Sequence, residues 1–137
     1  MKTNNLVLLN SNTRINFMQK YKETLNEFIE KNIIINTKAH VYIIKPENIL
    51  YVKASSNYSK IYDIDGHEII SSKTLKYFVD KLIEKGFIRV HTGTLVNLEK
   101  VKGIKKRNGN YTLILENDIK IPVSRSYREA LFTYLFY

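Results

Sequence analysis

Three histidines, His40, His67 and His91, are the residues of this 137-residue chain best suited to metal ligation or proton transfer. None has a histidine four residues away or a carboxylate pair at metal-ligand spacing, so the sequence assigns no metal site. Ser124 stands in PVSRS rather than on a G-x-S-x-G elbow, which removes the usual serine nucleophile. Asp63 and Asp65 flank a turn, where acids are ordinary. The five glycines form no phosphate-cradling loop, and cysteine is absent, so thiolate nucleophiles, disulfides and cysteine-based zinc sites are excluded. The pattern reads as a non-enzyme with no cofactor and no small-molecule substrate.

What the chain does offer is amide, phenol, guanidinium and ammonium groups gathered at corners. ASSNYSK (54–60) carries Asn57, Tyr58 and Lys60. HTGT (91–94), KKRNGN (105–110) and SRSYR (124–128) are three more corners of the same kind. Such groups donate to base edges and phosphates, and loops carry this work when a rigid scaffold holds them. No helix-turn-helix pair, zinc finger or basic zipper can be drawn from the chain, so a groove reader of this composition inserts loops.

The elements that must hold these corners follow from periodicity. Residues 14–31 place Phe17, Tyr21, Leu25 and Phe28 three or four apart, one stripe of a helix, with Thr13 as a candidate cap. That stripe either packs on the following domain, the reading preferred here, or pairs with another copy. From 33 to 124 the texture is short β runs: IIINT, HVYII, NILYVKA, YSKIYDI, HEIIS, FIRVH, TLVNL, VKGIKKR, YTLILE and IKIPVS. Asp65-Gly66 and Asn108-Gly109 are hairpin turns, and Pro122 predicts an edge strand. One helix interrupts the strands, KTLKYFVDKLIEK, with Ser72 as its expected cap and Gly86 as its left-handed stop. A C-terminal helix follows, with Ser126 and Glu129 spaced as a capping box. The strands are too short and too closely spaced for parallel crossovers, so the sheets are expected to be antiparallel.

Twenty-two Lys and Arg against thirteen Asp and Glu leave a net charge of +9. From Lys100 to Arg107 there are five cationic residues and no acid. Clustered positive charge attracts polyanions through counterion release. No window approaches the roughly 18 apolar residues of a membrane span, and the Leu6–Leu9 run is too short for a signal-peptide core, which leads to the expectation of a cytoplasmic protein without membrane partners.

The order ENILYVKASSNYSKIYDIDG, a helix, FIRVHTGTLVNLEKVKGI, a hairpin and KIPVSRSYRE resembles the LytTR family of bacterial DNA-binding domains. The resemblance runs over roughly residues 35 to 136. Its most specific part is F-x-R-V-H-x-x-x-L-V-N, followed at the right distance by I-P-V-S-R. It implies a mostly β, elongated antiparallel fold of three small sheets with one internal helix, plus N-terminal and C-terminal helices. A tail and linker helix (1–34) would precede the domain (35–137). The function implied is sequence-specific binding of double-stranded DNA in transcription regulation, with loops entering successive major grooves. Members usually follow a receiver domain in two-component response regulators and bind paired repeats as dimers. The resemblance thus implies paired repeats and is compatible with a homodimer on DNA, while the Phe17–Phe28 stripe permits a dimer without requiring one.

Carried over by position, the resemblance puts base contacts at Asn57, Tyr58 and Arg125, and a backbone contact at Thr92 in the corner after His91. Lys60, Lys105, Lys106 and Arg128 would hold phosphates without reading sequence. His91 and Asn97, set between apolar Phe87, Val90, Leu95 and Val96, are read as internal polar staples that shape the corner. Thr92 and Gly93 depart from the long polar residue and serine usual there, and Thr94 stands where an aromatic is usual. These departures weaken one expected contact. A protein-interaction module of the same fold, docking through the N-terminal helix and the aromatic LFTYLFY end, is the alternative.

Overall fold

Alternating β-branched and polar residues, broken every four to seven positions by a turn, give ten short strands in three antiparallel sheets among the described residues. The computed structural model describes residues 10–136. The Leu6–Leu9 run, the first part of the expected tail, and Tyr137 lie outside the described residues.

Helix α1 (Ser11–Lys31) is capped by Asn10, whose Oδ1 accepts from Thr13 N at 2.8 Å. Thr13 is therefore a donor in the first turn and not the cap. Strands β1 (Ile33–Asn36) and β2 (Val41–Ile44) form a separate hairpin. The five-stranded sheet has the order β5-β4-β3-β7-β6, from β3 (Ile49–Ser55), β4 (Tyr58–Asp63), β5 (Glu68–Ser71), β6 (Phe87–His91) and β7 (Thr94–Asn97). The three-stranded sheet joins β8 (Val101–Arg107), β9 (Asn110–Leu115) and β10 (Lys120–Val123). Pro122 sits in β10, which pairs only with β9, so its missing N–H faces the free edge as expected.

Helix α2 (Leu75–Leu82) starts later than its periodicity suggested. Ser71 Oγ accepts from Lys73 N, which ties the chain down before the helix and leaves Thr74, not Ser72, at the cap. A 3-10 turn (Ile83–Lys85) then leads to Gly86 at φ +89°, the left-handed stop that a side chain would strain. Helix α3 (Arg125–Phe136) already includes Ser126 in its first turn, so the Ser126–Glu129 capping box does not form.

Two cores hold these layers. Leu75, Phe78 and Leu82 of α2 pack on Val52, Ile61, Ile69, Phe87 and Leu95 of the five-stranded sheet, joined by Ile33, Ile35 and Ile44 of the hairpin. The second core lies between Leu50, Val90 and Val96 of the same sheet and Leu113, Leu115, Ile121 and Val123 of the three-stranded sheet, with Leu131 of α3. Each fully buried side chain of this size stabilises by about 1.5–3 kcal/mol, so both sheets are fixed rigidly relative to one another. The expected packing of α1 on the domain does not occur: among the described residues none of its side chains is buried. A single amphipathic stripe cannot tell the sequence reader which surface will cover it.

Candidate nucleic-acid interface

The corner at 55–58 is a two-residue turn. Ser55 pairs with Tyr58, and Ser56 at φ +57° turns the chain, leaving Asn57 and Tyr58 exposed at the tip. Because β3 and β7 are antiparallel, with Lys53 opposite Thr94, the β6–β7 corner lies at this same end of the sheet. Ala54 N donates to Gly93 O at 2.8 Å and joins the two corners. A Cβ on Gly93 would stand 3.6 Å from that of Ala54. The third corner arrives through Ser124 N, which donates to Val90 O at 2.8 Å and brings the start of α3, with exposed Arg125, beside β6. Asn57, Tyr58 and Arg125 thus belong to adjoining corners, and Thr92 is exposed between them.

The peptide unit between Thr92 and Gly93 is gripped at both ends. Arg89 donates from Nε to Thr92 O at 3.1 Å, and its Nη2 donates to the same oxygen. Gly93 N donates to His91 Nδ1 at 3.0 Å. A backbone N–H can only donate, so Nδ1 is the acceptor and the neutral ring carries its proton on Nε2. His91 is exposed, which corrects the expectation of an interior staple. A β-bulge between Arg89 and His91 shifts the register so that the ring leaves the core and bends over its own corner. Asn97 is buried, with 2% of its surface exposed. Its Nδ2 donates to Ile49 O at 3.0 Å and its Oδ1 accepts from Glu99 N at 3.1 Å.

The cationic residues sort by face. Lys105, Arg107, Asn110 and Thr112 share the outer face of the three-stranded sheet and, with Asn108 and Lys120, line a groove of about 430 Å³. Lys120 also lines a second groove of about 210 Å³ with Tyr51, Lys53, His91, Thr94 and Pro122. Neither lining contains an acid. Lys106 points to the opposite face, where its Nζ lies 5.6 Å from the Phe136 ring centroid. Arg128 is half-buried with its guanidinium 4.6 Å from the Tyr111 ring centroid. Lys60 lies 3.9 Å from Glu68, a loose and partly exposed pair. Lys53, Arg107 and Lys120 line these grooves but are not among the residues singled out from the sequence. For two of them the available signal was strand alternation: Lys53 pairs directly with Lys60, and Arg107 lies two residues from Lys105 in one strand, so both share a face with a residue already singled out.

His67 is less isolated than its sequence neighbours suggested. The turn after Asp63 brings its Nδ1 to 2.9 Å from Asp63 Oδ2, while Asp63 Oδ1 accepts from Asp65 N and His67 N. Those bonds shape the hairpin between β4 and β5.

Comparison with known proteins places this geometry among relatives. The family model described as the LytTr DNA-binding domain matches residues 39–136. The chain is 29% identical over 124 residues to the sensory transduction protein LytT of Bacillus subtilis, covering 83% of this chain and 51% of that protein. It is 31% identical over 96 residues to LytT of Enterococcus faecalis, covering 69% and 39%. The chain spans about half or less of the length of these curated relatives. In three dimensions it is similar to a LytTr DNA-binding domain from Bacillus cereus, with a TM-score of 0.69, 20% identity, and coverage of 78% of this chain and 98% of that one. Among the described residues, no helix is long and apolar enough to cross a membrane.

Proposed function

We propose, from the premise that this chain belongs to the LytTr family of DNA-binding domains, that its adjoining corners are set into successive major grooves of a duplex. The domain binds DNA in transcription regulation. Arg125 forks onto guanine O6 and N7, a contact that discriminates by about 1–3 kcal/mol. Asn57 and Tyr58 donate to a base edge or phosphate from the neighbouring corner. Thr92, Lys60, Lys105, Lys106 and Arg128 serve the phosphates, joined by Lys53, Arg107 and Lys120 along the two acid-free grooves. Lys105 carries more of this than Lys106 or Arg128, because those two side chains are drawn toward Phe136 and Tyr111. The chemistry is recognition and not catalysis, and the target is a pair of repeats read by two copies in the cytoplasm. The DNA-binding unit runs over 35–137, with 1–34 as tail and linker helix.

The observation that supports this most is the backbone bonding from Ala54 to Gly93 and from Ser124 to Val90, which holds the reading corners side by side. The test is anisotropy titration of a promoter-derived duplex library at two salt concentrations. Selective binding that weakens steeply with salt is expected. Arg125→Ala should lose roughly 5- to 150-fold discrimination at one or two base pairs while random duplex is bound as before. Equal loss on cognate and random duplex would remove Arg125 from the base-reading role.

A further inference from the structure

Helix α1 leaves a seam uncovered. Met18, Tyr21, Leu25 and Phe28 are spaced 3, 4 and 3 apart, and each is between 42% and 57% exposed. That is the a/d spacing of a two-helix interface. Most helical stability in proteins comes from packing an amphipathic face, and this 21-residue helix buries none of its side chains, so its stability calls for a covering surface.

Charge says which surface. The first twelve residues of the helix carry Arg14, Lys20 and Lys22 and no acid, while the last nine carry Glu23, Glu27 and Glu30 against Lys31 alone. This order opposes the helix's own macrodipole, which favours acids at the N-terminus and bases at the C-terminus. Lysine before glutamate is also the weaker order for pairs along one helix. The distribution therefore does not serve the lone helix. A second copy running the opposite way would set each basic half against an acidic half, whereas a parallel copy would set like against like.

We infer that α1 is an antiparallel self-association helix, with Met18 of one copy beside Phe28 of the second and Tyr21 beside Leu25. The partner is another molecule of this chain, and the surface is separate from the corners proposed to read DNA.

Sedimentation equilibrium of the full chain should give twice the 16.1 kDa chain mass. Leu25→Glu should return it to the single-chain mass while leaving its affinity for an isolated DNA repeat within about twofold, since no α1 residue belongs to the proposed interface. Lys20→Glu with Lys22→Glu should weaken association by about tenfold or more, and adding Glu27→Lys and Glu30→Lys should restore it. The chain has no cysteine, so direction can be read by cross-linking. An equimolar mixture of Met18→Cys and Phe28→Cys chains should form an 18–28 disulfide, and Met18→Cys alone should form none. An 18–18 disulfide would mean a parallel pair and overturn the proposal. A single-chain mass at every concentration, with helicity intact, would overturn it too and would mean that this chain's own residues or another protein cover the seam.

Discussion

Arg89 and Thr92 are joined by a two-pronged bond: the guanidinium of one donates twice to the carbonyl of the other, from Nε at 3.1 Å and again from Nη2. The same guanidinium lies 5.8 Å from the ring centroid of Tyr127, in the first turn of α3. One side chain thus sets the plane of the 92–93 peptide and faces the helix that carries Arg125. Arg89→Lys keeps the charge but loses the fork. The expected outcome is a roughly tenfold loss of preference for cognate over random duplex, the size of one good hydrogen-bonded contact, with the salt slope unchanged. Anisotropy titration on both duplexes reads this, and an unchanged preference would leave Arg89 with structural duty alone.

Lys105 and Lys106 are adjacent in β8 and point to opposite faces. Lys105→Ala should weaken binding to all sequences alike and reduce the salt slope by about one, because it removes one phosphate contact. Lys106→Ala should reduce the slope by clearly less than Lys105→Ala does, and should also lower stability by about 0.5–1 kcal/mol through its lost contact with Phe136. Paired titrations at several salt concentrations, with thermal melts of both variants, separate these effects. Equal slopes for the two variants would refute the division by face.

Most of the architecture was legible because strand alternation and turn chemistry are local. Asn108 and Gly109 both take positive φ, as the Asn-Gly pair foretold, and Phe87, Val90, Leu95 and Val96 are all buried. His91 was misplaced because a one-residue bulge reverses which side of the sheet a residue faces, and nothing in FIRVH marks the bulge. The continuity of Lys53, Lys120, Lys105 and Arg107 depends on how two sheets dock, which is set by the second core and not by neighbours in sequence. The stripe on α1 was plain in the sequence, but its cover was not.

Asn97 joins the sheet to the turn that follows it. Its amide donates to Ile49 O, 48 residues away, and its oxygen accepts from Glu99 N. Asn97→Ala deletes both bonds and leaves the Ile49 carbonyl buried without that donor. The expected cost is about 2–4 kcal/mol, from two lost hydrogen bonds and one stranded acceptor. In a domain of this size that lowers the melting temperature by roughly 6–16 °C. Calorimetry of the variant measures it, and a shift under about 2 °C would show that neither bond matters to the fold.

Tyr62 stacks on Tyr51 with ring centroids 4.4 Å apart. Its burial, reinforced by the Glu68 carboxylate opposite it on β5 and by Tyr51, pushes the phenol up to about 12 from the ordinary 10.0. The fold therefore favours the neutral phenol. This contribution is fully present below pH 10 and is lost as pH rises from 10 through about 12. Urea midpoints followed across that range should fall more steeply for the native chain than for Tyr62→Phe, which has no proton to lose. Glu68 links this pair to the proposed interface, because it also lies 3.9 Å from Lys60. Glu68→Gln should lower the Tyr62 pKa toward its ordinary value and free Lys60 for phosphate, raising affinity for cognate and random duplex together. Parallel alkaline and DNA titrations of Glu68→Gln test both arms, and a variant that moves the phenol but leaves duplex affinity unchanged would show that Lys60 lies outside the DNA footprint.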